Sequence, residues 1–246
     1  MMARGRVAKG CDIDGWIVFD KPVSMRSMQA TSFVRSVLNA RKAGHAGTLD
    51  PLASGVLPIA LGRATRAIAP LIAQKKTYRF TVRWGVITDT LDADGCVTHV
   101  MARRPSMGAI KAMIPEFVGA LMQRPPLYSA LRVQGKRAYQ WARAHKLVEL
   151  MPRPVHVYSL RLAARLCEDE AVFECCCGQG TYVRSLARDM AQRLGTCGHI
   201  CALRRLSVGP FLADDAVSYD VLRRACEEGK GRSFLKPVEV NTALPL

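Results

Sequence analysis

The strand-like and helix-like stretches of this chain follow one another without regular alternation. That order argues for an α+β fold and against a doubly wound parallel sheet. Residues 12–20, DIDGWIVFD, form an apolar strand-like run ending in Asp-Lys-Pro. Over residues 27–39, Met28, Phe33, Val34, Val37 and Leu38 recur at helical spacing, with Ser27 as a candidate N-cap. Residues 77–84, TYRFTVRW, alternate aromatic or branched residues with polar ones, the pattern of a half-buried strand. Residues 108–118 read as a helix, 155–166 and 171–177 as adjacent strands, and 180–194 as a second helix.

Charge narrows the partner. The chain has 246 residues, with 36 Lys and Arg against 20 Asp and Glu, a formal net charge of +16. Such an excess points to a polyanion, either nucleic acid or an acidic membrane surface. The membrane reading is the weaker one, because no apolar run approaches the roughly 18 residues of a spanning helix. No secretory signal is visible at the N-terminus. Nine cysteines without an export signal point to free thiols in a reducing cytoplasm. Cys175, Cys176 and Cys177 are consecutive and alternate faces of a strand, so they do not converge on one ion. Cys197, His199 and Cys201 share a face but lack a fourth ligand, so core cysteine is favoured over a metal site.

Two segments differ from the rest in charge. Residues 124–153 carry seven Lys or Arg against Glu149 alone, with Tyr128, Tyr139 and Trp141 among them. Cations interleaved with aromatics suit looped RNA, and a solvated amphipathic helix explains the pattern equally well. The tail, 211–246, holds five basic and six acidic residues and is too short for its own core. It is expected to pack on the main domain or fray.

The chemistry-bearing segment is 44–66, GHAGTLDPLASGVLPIALGRATR, punctuated by four glycines and holding one acid, Asp50. It is neither a P-loop nor a dinucleotide fingerprint. From these residues alone, Asp50 is either a turn residue or a catalytic carboxylate.

That segment resembles the catalytic motif of the bacterial TruB family, the tRNA pseudouridine synthases acting at uridine 55 of the TΨC loop. Asp20-Lys21-Pro22 resembles the family's first motif, and Gly44 to Leu52 the second, which carries the nucleophilic aspartate. Lys76-Thr77-Tyr78 resembles the segment with the base-stacking tyrosine, and Thr88 to Gly95 the acidic turn after it. Residues from Pro125 to Arg143 resemble an RNA-gripping thumb, Gly180 to Leu186 the motif with the active-site arginine, and Leu203-Arg204-Arg205 the pocket-closing strand. The matches run in order from residue 12 to about residue 211. Ser24 and Arg26 depart from the first motif, where Gly and Ser are usual. Ala144-His145-Lys146 replaces a stretch where a Gly is usual.

The resemblance implies a pseudouridine synthase catalytic domain over 1–210: a mixed, mostly antiparallel sheet flanked by helices and loops, with a thumb insertion at about 124–153. Residues 211–246 are then a short extension rather than a complete PUA domain, the small RNA-binding module most members carry. It implies Asp50 as the catalytic nucleophile, Arg184 as its charge partner and Tyr78 stacked on the flipped uracil. Lys21, His45, Asp92, Tyr182 and Leu203 complete the substrate site, and Arg132, Lys136, Arg137 and Arg143 hold RNA backbone in the thumb. No cofactor and no metal are implied. The expected partner is tRNA, with no membrane and no obligatory protein partner, and the expected state is a cytoplasmic monomer. The alternative is a non-catalytic tRNA-binding chaperone that opens and refolds the elbow.

Overall fold

The computed structural model describes residues 10–144, 146 and 148–239. His145 lies outside the described residues. The chain forms two compact units, one from residues 1–74 with 205–246 and one from residues 75–204.

In the first unit, the strand Gly15–Lys21 is apolar and buried along nearly its whole length. It pairs antiparallel with Ser54–Leu61, from Gly15↔Leu61 to Lys21↔Gly55. The short strand Ala43–His45 pairs with Ser54–Leu61 as well, with His45 opposite Ile59. Residues from the tail add Val217–Ser218 in parallel, with Phe19 opposite Val217. Through Glu239 the tail therefore belongs to this unit rather than fraying. Trp16 and Lys236 exchange backbone hydrogen bonds of 3.0 and 2.8 Å, and the Trp16 and Phe211 rings lie 5.6 Å apart. The apolar core holds Trp16, Val18, Val56, Ala60, Leu71 and Val208.

The helix Ser27–Val37 packs through Ala30 and Val34. Its N-cap is Arg26, one residue before the Ser27 expected from sequence. The Ser27 hydroxyl is taken by a distant partner, Leu49, and the cap relies on the Gln29 side chain accepting from the Arg26 N–H at 2.9 Å.

In the second unit the sheet runs, in order, from the start of the strand Gly198–Val208 through Lys76–Trp84, Glu170–Cys177 and Arg153–Arg165 to Gly119–Gln123. The ladders joining the last four are antiparallel. Cys175 and Cys177 are fully buried, as alternation from Phe173 requires. The helix Met107–Met113 is capped by Ser106, which accepts from Ala109 N–H at 3.1 Å. The expected helix over 108–118 tightens into a 3-10 turn at Ile114–Phe117, where Pro115 lacks the N–H that an α-helix needs. The helix Val183–Arg193 buries Leu186, Ala187 and Met190. The whole is an α+β fold.

Candidate active site

Asp50 is half-buried in the turn between Ala46 and Ser54. Four contacts fix that turn within the first unit. Ser27 Oγ donates to the Leu49 carbonyl and accepts from Leu49 N–H, both at 2.9 Å. Ser24 N–H donates to the Pro51 carbonyl at 2.8 Å. Ala53 N–H closes the turn onto the Asp50 carbonyl at 3.1 Å. Lys21 is fully buried, and its ammonium donates to the carbonyls of Pro22 at 2.8 Å, Met25 at 2.7 Å and Pro51 at 3.4 Å. A compact ammonium with three donors suits a pocket lined by three carbonyls. The lysine of the first motif thus ties its own loop to the proline that follows Asp50.

Burial pushes the Lys21 ammonium down to about 8, against the pull of the Asp50 charge and with the Arg205 charge acting in the same direction as burial. His45 is likewise held below its ordinary range, first by burial and then by Arg205. Its Nδ1 lies 3.1 Å from Thr31 Oγ1 and its Nε2 3.3 Å from Thr48 Oγ1, two neutral partners suited to a neutral ring.

The second unit carries the remaining candidates. Tyr78 is 8% exposed and stands opposite Cys175 in the sheet. Arg184, in the first turn of Val183–Arg193, is 5% exposed. It donates to the carbonyls of Thr90 at 2.7 Å and Tyr128 at 3.0 Å, and its Nε lies 3.6 Å from Asp92 Oδ2. Asp92 in turn accepts from Thr90 Oγ1 at 2.6 Å and from Asp94 N–H at 3.2 Å. The acidic turn is therefore a socket for one arginine, which suits the fixed fork of a guanidinium. Tyr182 is half-buried, its N–H donating to Gln123 Oε1 at 2.8 Å. Leu203 is buried on Gly198–Val208.

The four cations expected in a thumb come together on one hairpin and the helix after it. Strands Arg132–Val133 and Lys136–Arg137 pair around Gln134 and Gly135, both at positive φ, as a tight two-residue hairpin requires. The helix Ala138–Arg143 follows. Lys136 Nζ is 5.2 Å from the Trp141 ring centre and the Arg143 guanidinium 5.4 Å from that of Tyr139. Arg132, Lys136, Arg137 and Arg143 are all exposed. Cations resting on aromatics are partly ordered yet open to phosphate.

His199 Nδ1 lies 2.7 Å from the Val86 carbonyl and Cys201 Sγ 3.6 Å from that of Thr81. Among the described residues no three His, Cys, Asp or Glu gather in a way that holds a metal ion.

Sequence reasoning missed Ser27, whose hydroxyl reads as a cap, and Gln123, which fixes Tyr182. It also left Arg205 without a role. None has a local sequence signal, because each acts on a residue at least 22 positions away.

Residues 35–183 match the family model "TruB family pseudouridylate synthase (N terminal domain)". Residues 184–242 match "tRNA pseudouridylate synthase B C-terminal domain". The chain is 51% identical over 233 residues to "tRNA pseudouridine synthase B" of Bradyrhizobium diazoefficiens, covering 93% of this chain and 68% of that protein. It is 47% identical over 222 residues to the protein of the same name from Bartonella quintana, covering 90% and 82%. A solved "Cbf5-Nop10-Gar1 Complex" contains a chain superposing with a TM-score of 0.71 at 29% identity, over 91% of this chain and 60% of that one. The chain belongs to the TruB family of pseudouridylate synthases.

Proposed function

We propose that the protein is a tRNA pseudouridine synthase that isomerises uridine 55 of the TΨC loop, with Asp50 as nucleophile. The observation that carries this is the anchoring of Asp50: Ser27, Lys21 and Ser24 each bind the backbone beside it, leaving a half-buried carboxylate on a rigid turn. A nucleophile held in one geometry lowers the entropy cost of attack.

The reaction is an isomerisation. The N1–C1′ bond breaks, a C5–C1′ bond forms, the C5 proton leaves and N1 gains one. No electrons are exchanged with an outside group. The target nucleotide leaves its stack to reach Asp50. Tyr78 stacks on the freed uracil and keeps it from escaping during the turn. Leu203 walls the pocket beside it, and Tyr182 lines it. Arg184, oriented by Asp92 and by the carbonyls of Thr90 and Tyr128, supplies a fixed positive charge to the substrate. His45, its imidazole held below its ordinary range by burial, fills the space left by the flipped nucleotide. Arg132, Lys136, Arg137 and Arg143 hold the loop's phosphates.

No helix among the described residues is long and apolar enough to cross a membrane. The tRNA substrate places the enzyme in the cytoplasm, where it works as a monomer. Residues 1–210 are the catalytic part, and the tail from 211 joins its first unit by pairing Val217 with Phe19. The test is incubation with an unmodified tRNA transcript and mapping of pseudouridine. Product at position 55 alone is expected. Tight binding without product transfers the assignment to a tRNA-folding chaperone.

A further inference from the structure

The chain from Gly47 to Val56 carries Asp50, and one side chain grips it at both ends. Arg205 Nη2 donates to the Gly47 carbonyl at 2.9 Å and Arg205 Nε to the Val56 carbonyl at 2.7 Å. Gly55 presses against the same residue: a Cβ there would lie 2.2 Å from the Arg205 carbonyl oxygen, and its φ of +102° favours glycine. Arg205 is 1% exposed, and among the described residues it forms no ion pair. Burying a guanidinium without a carboxylate partner is costly, and an apolar side chain of similar volume would fill the space more cheaply. A charge retained against that cost has work to do where it lies.

We propose that Arg205 is the positioning residue of the catalytic turn. Its two hydrogen bonds hold the ends of the Asp50 segment at one separation, and its permanent charge disfavours further positive charge beside Asp50. The second part has a visible counterpart, since Arg205 acts on both Lys21 and His45 in the direction of deprotonation. Around Lys21 the charged groups are Asp50 and Arg205; around His45 the charge is Arg205, and the ring is flanked by the hydroxyls of Thr31 and Thr48. A neutral His45 suits a site that must admit an RNA loop without locking a phosphate in the nucleotide's place. No contact between Arg205 and RNA is required.

The inference rests on Asp50 being the nucleophile. It is tested with the full chain carrying Arg205→Met or Arg205→Lys, with a thermal melt, RNA affinity, the single-turnover rate at saturating TΨC stem-loop, and an NMR titration of His45. In folded Arg205→Met, the rate should fall by about 100-fold, as for a reacting group displaced by about 1 Å, with affinity nearly unchanged. The His45 midpoint should rise. Arg205→Lys keeps the charge and one carbonyl contact, so its rate should be intermediate and its His45 midpoint near wild type. A wild-type rate in folded Arg205→Met, or a rate loss with an unmoved His45 midpoint, overturns the proposal. Should Arg205→Met fail to fold, Arg205→Lys decides: a lowered rate at unchanged affinity supports it, and a wild-type rate overturns it. If Asp50→Asn is inactive while both Arg205 variants are normal, only this inference fails. If wild type makes no pseudouridine, the functional assignment itself fails.

Discussion

Ser27 and Leu49 exchange two hydrogen bonds of 2.9 Å, the serine hydroxyl standing in for a neighbouring strand at the residue before Asp50. Both residues are buried. The contact couples the first turn of the helix Ser27–Val37 to the loop that carries Asp50.

Ser27→Ala removes both bonds and leaves a buried N–H and C=O unpaired, which should cost about 1–3 kcal/mol. Asp50 then loses its upstream anchor, so turnover should fall by about 10- to 100-fold while RNA affinity holds. Urea unfolding with single-turnover kinetics measures both. Unchanged kinetics in a destabilised variant would show that the anchor serves stability alone.

The loop before that helix carries two correctable weaknesses. Ser24 adopts φ +68°, a left-handed conformation that suits glycine, and Arg26 caps the helix with no side-chain acceptor. Ser24→Gly relieves strain of about 1 kcal/mol, partly offset by the greater freedom of glycine in the unfolded chain. Arg26→Ser adds a cap of about 1 kcal/mol. The double variant should gain about 1–2 kcal/mol in a denaturant titration. No gain would mean that the surrounding contacts already absorb the strain.

Lys21 gives the fold a pH signature. Its ammonium titrates at about 8 in the folded chain and near its ordinary 10.5 when unfolded. Between those values the unfolded state binds the extra proton, so stability rises with pH across that window. Below 8 the full penalty is present, with an upper bound of about 3 kcal/mol. Wild type should therefore gain stability relative to Lys21→Met between pH 8 and 10. Parallel stability curves for the two proteins would show that the ammonium stays charged throughout.

Much of this was readable in advance, and the exceptions share a cause. The strand Lys76–Trp84 follows from its alternation, and the burial of Cys175 and Cys177 from their two-residue spacing. Asp50 is legible through the glycine-rich loop together with the family motifs. The role of Ser27 is not, because its partner lies 22 residues away and an N-terminal serine before an apolar run reads as a cap. Arg205 looks like one cation among 36. Its burial, at 1% exposure and packed against Gly55, shows only in the fold. Nothing in the tail's own sequence names its partner, and it joins the N-terminal unit by pairing Val217 with Phe19, a contact across nearly 200 residues.

The thumb should dominate electrostatic binding. Lys136 and Arg137 are exposed beside Trp141 and on the hairpin. Replacing both with Ala should reduce the slope of log K against log salt by up to about 1.4–1.8, as for two lost phosphate contacts. An unchanged slope would move the phosphate contacts to other cations.

The most direct measurement is pseudouridine formation by Asp50→Asn on an unmodified tRNA transcript, with a thermal melt and a binding curve alongside. The amide keeps the size of the side chain and loses its nucleophilic oxygen charge. The turn stays anchored through Ser27, Lys21 and Ser24, which bind backbone rather than the carboxylate. Affinity for tRNA should therefore stay within about tenfold, or 1.4 kcal/mol, since binding comes from phosphate contacts and stacking elsewhere. Product should fall below detection. A folded Asp50→Asn protein that still makes pseudouridine at a near wild-type rate would contradict the assignment of Asp50 as the nucleophile.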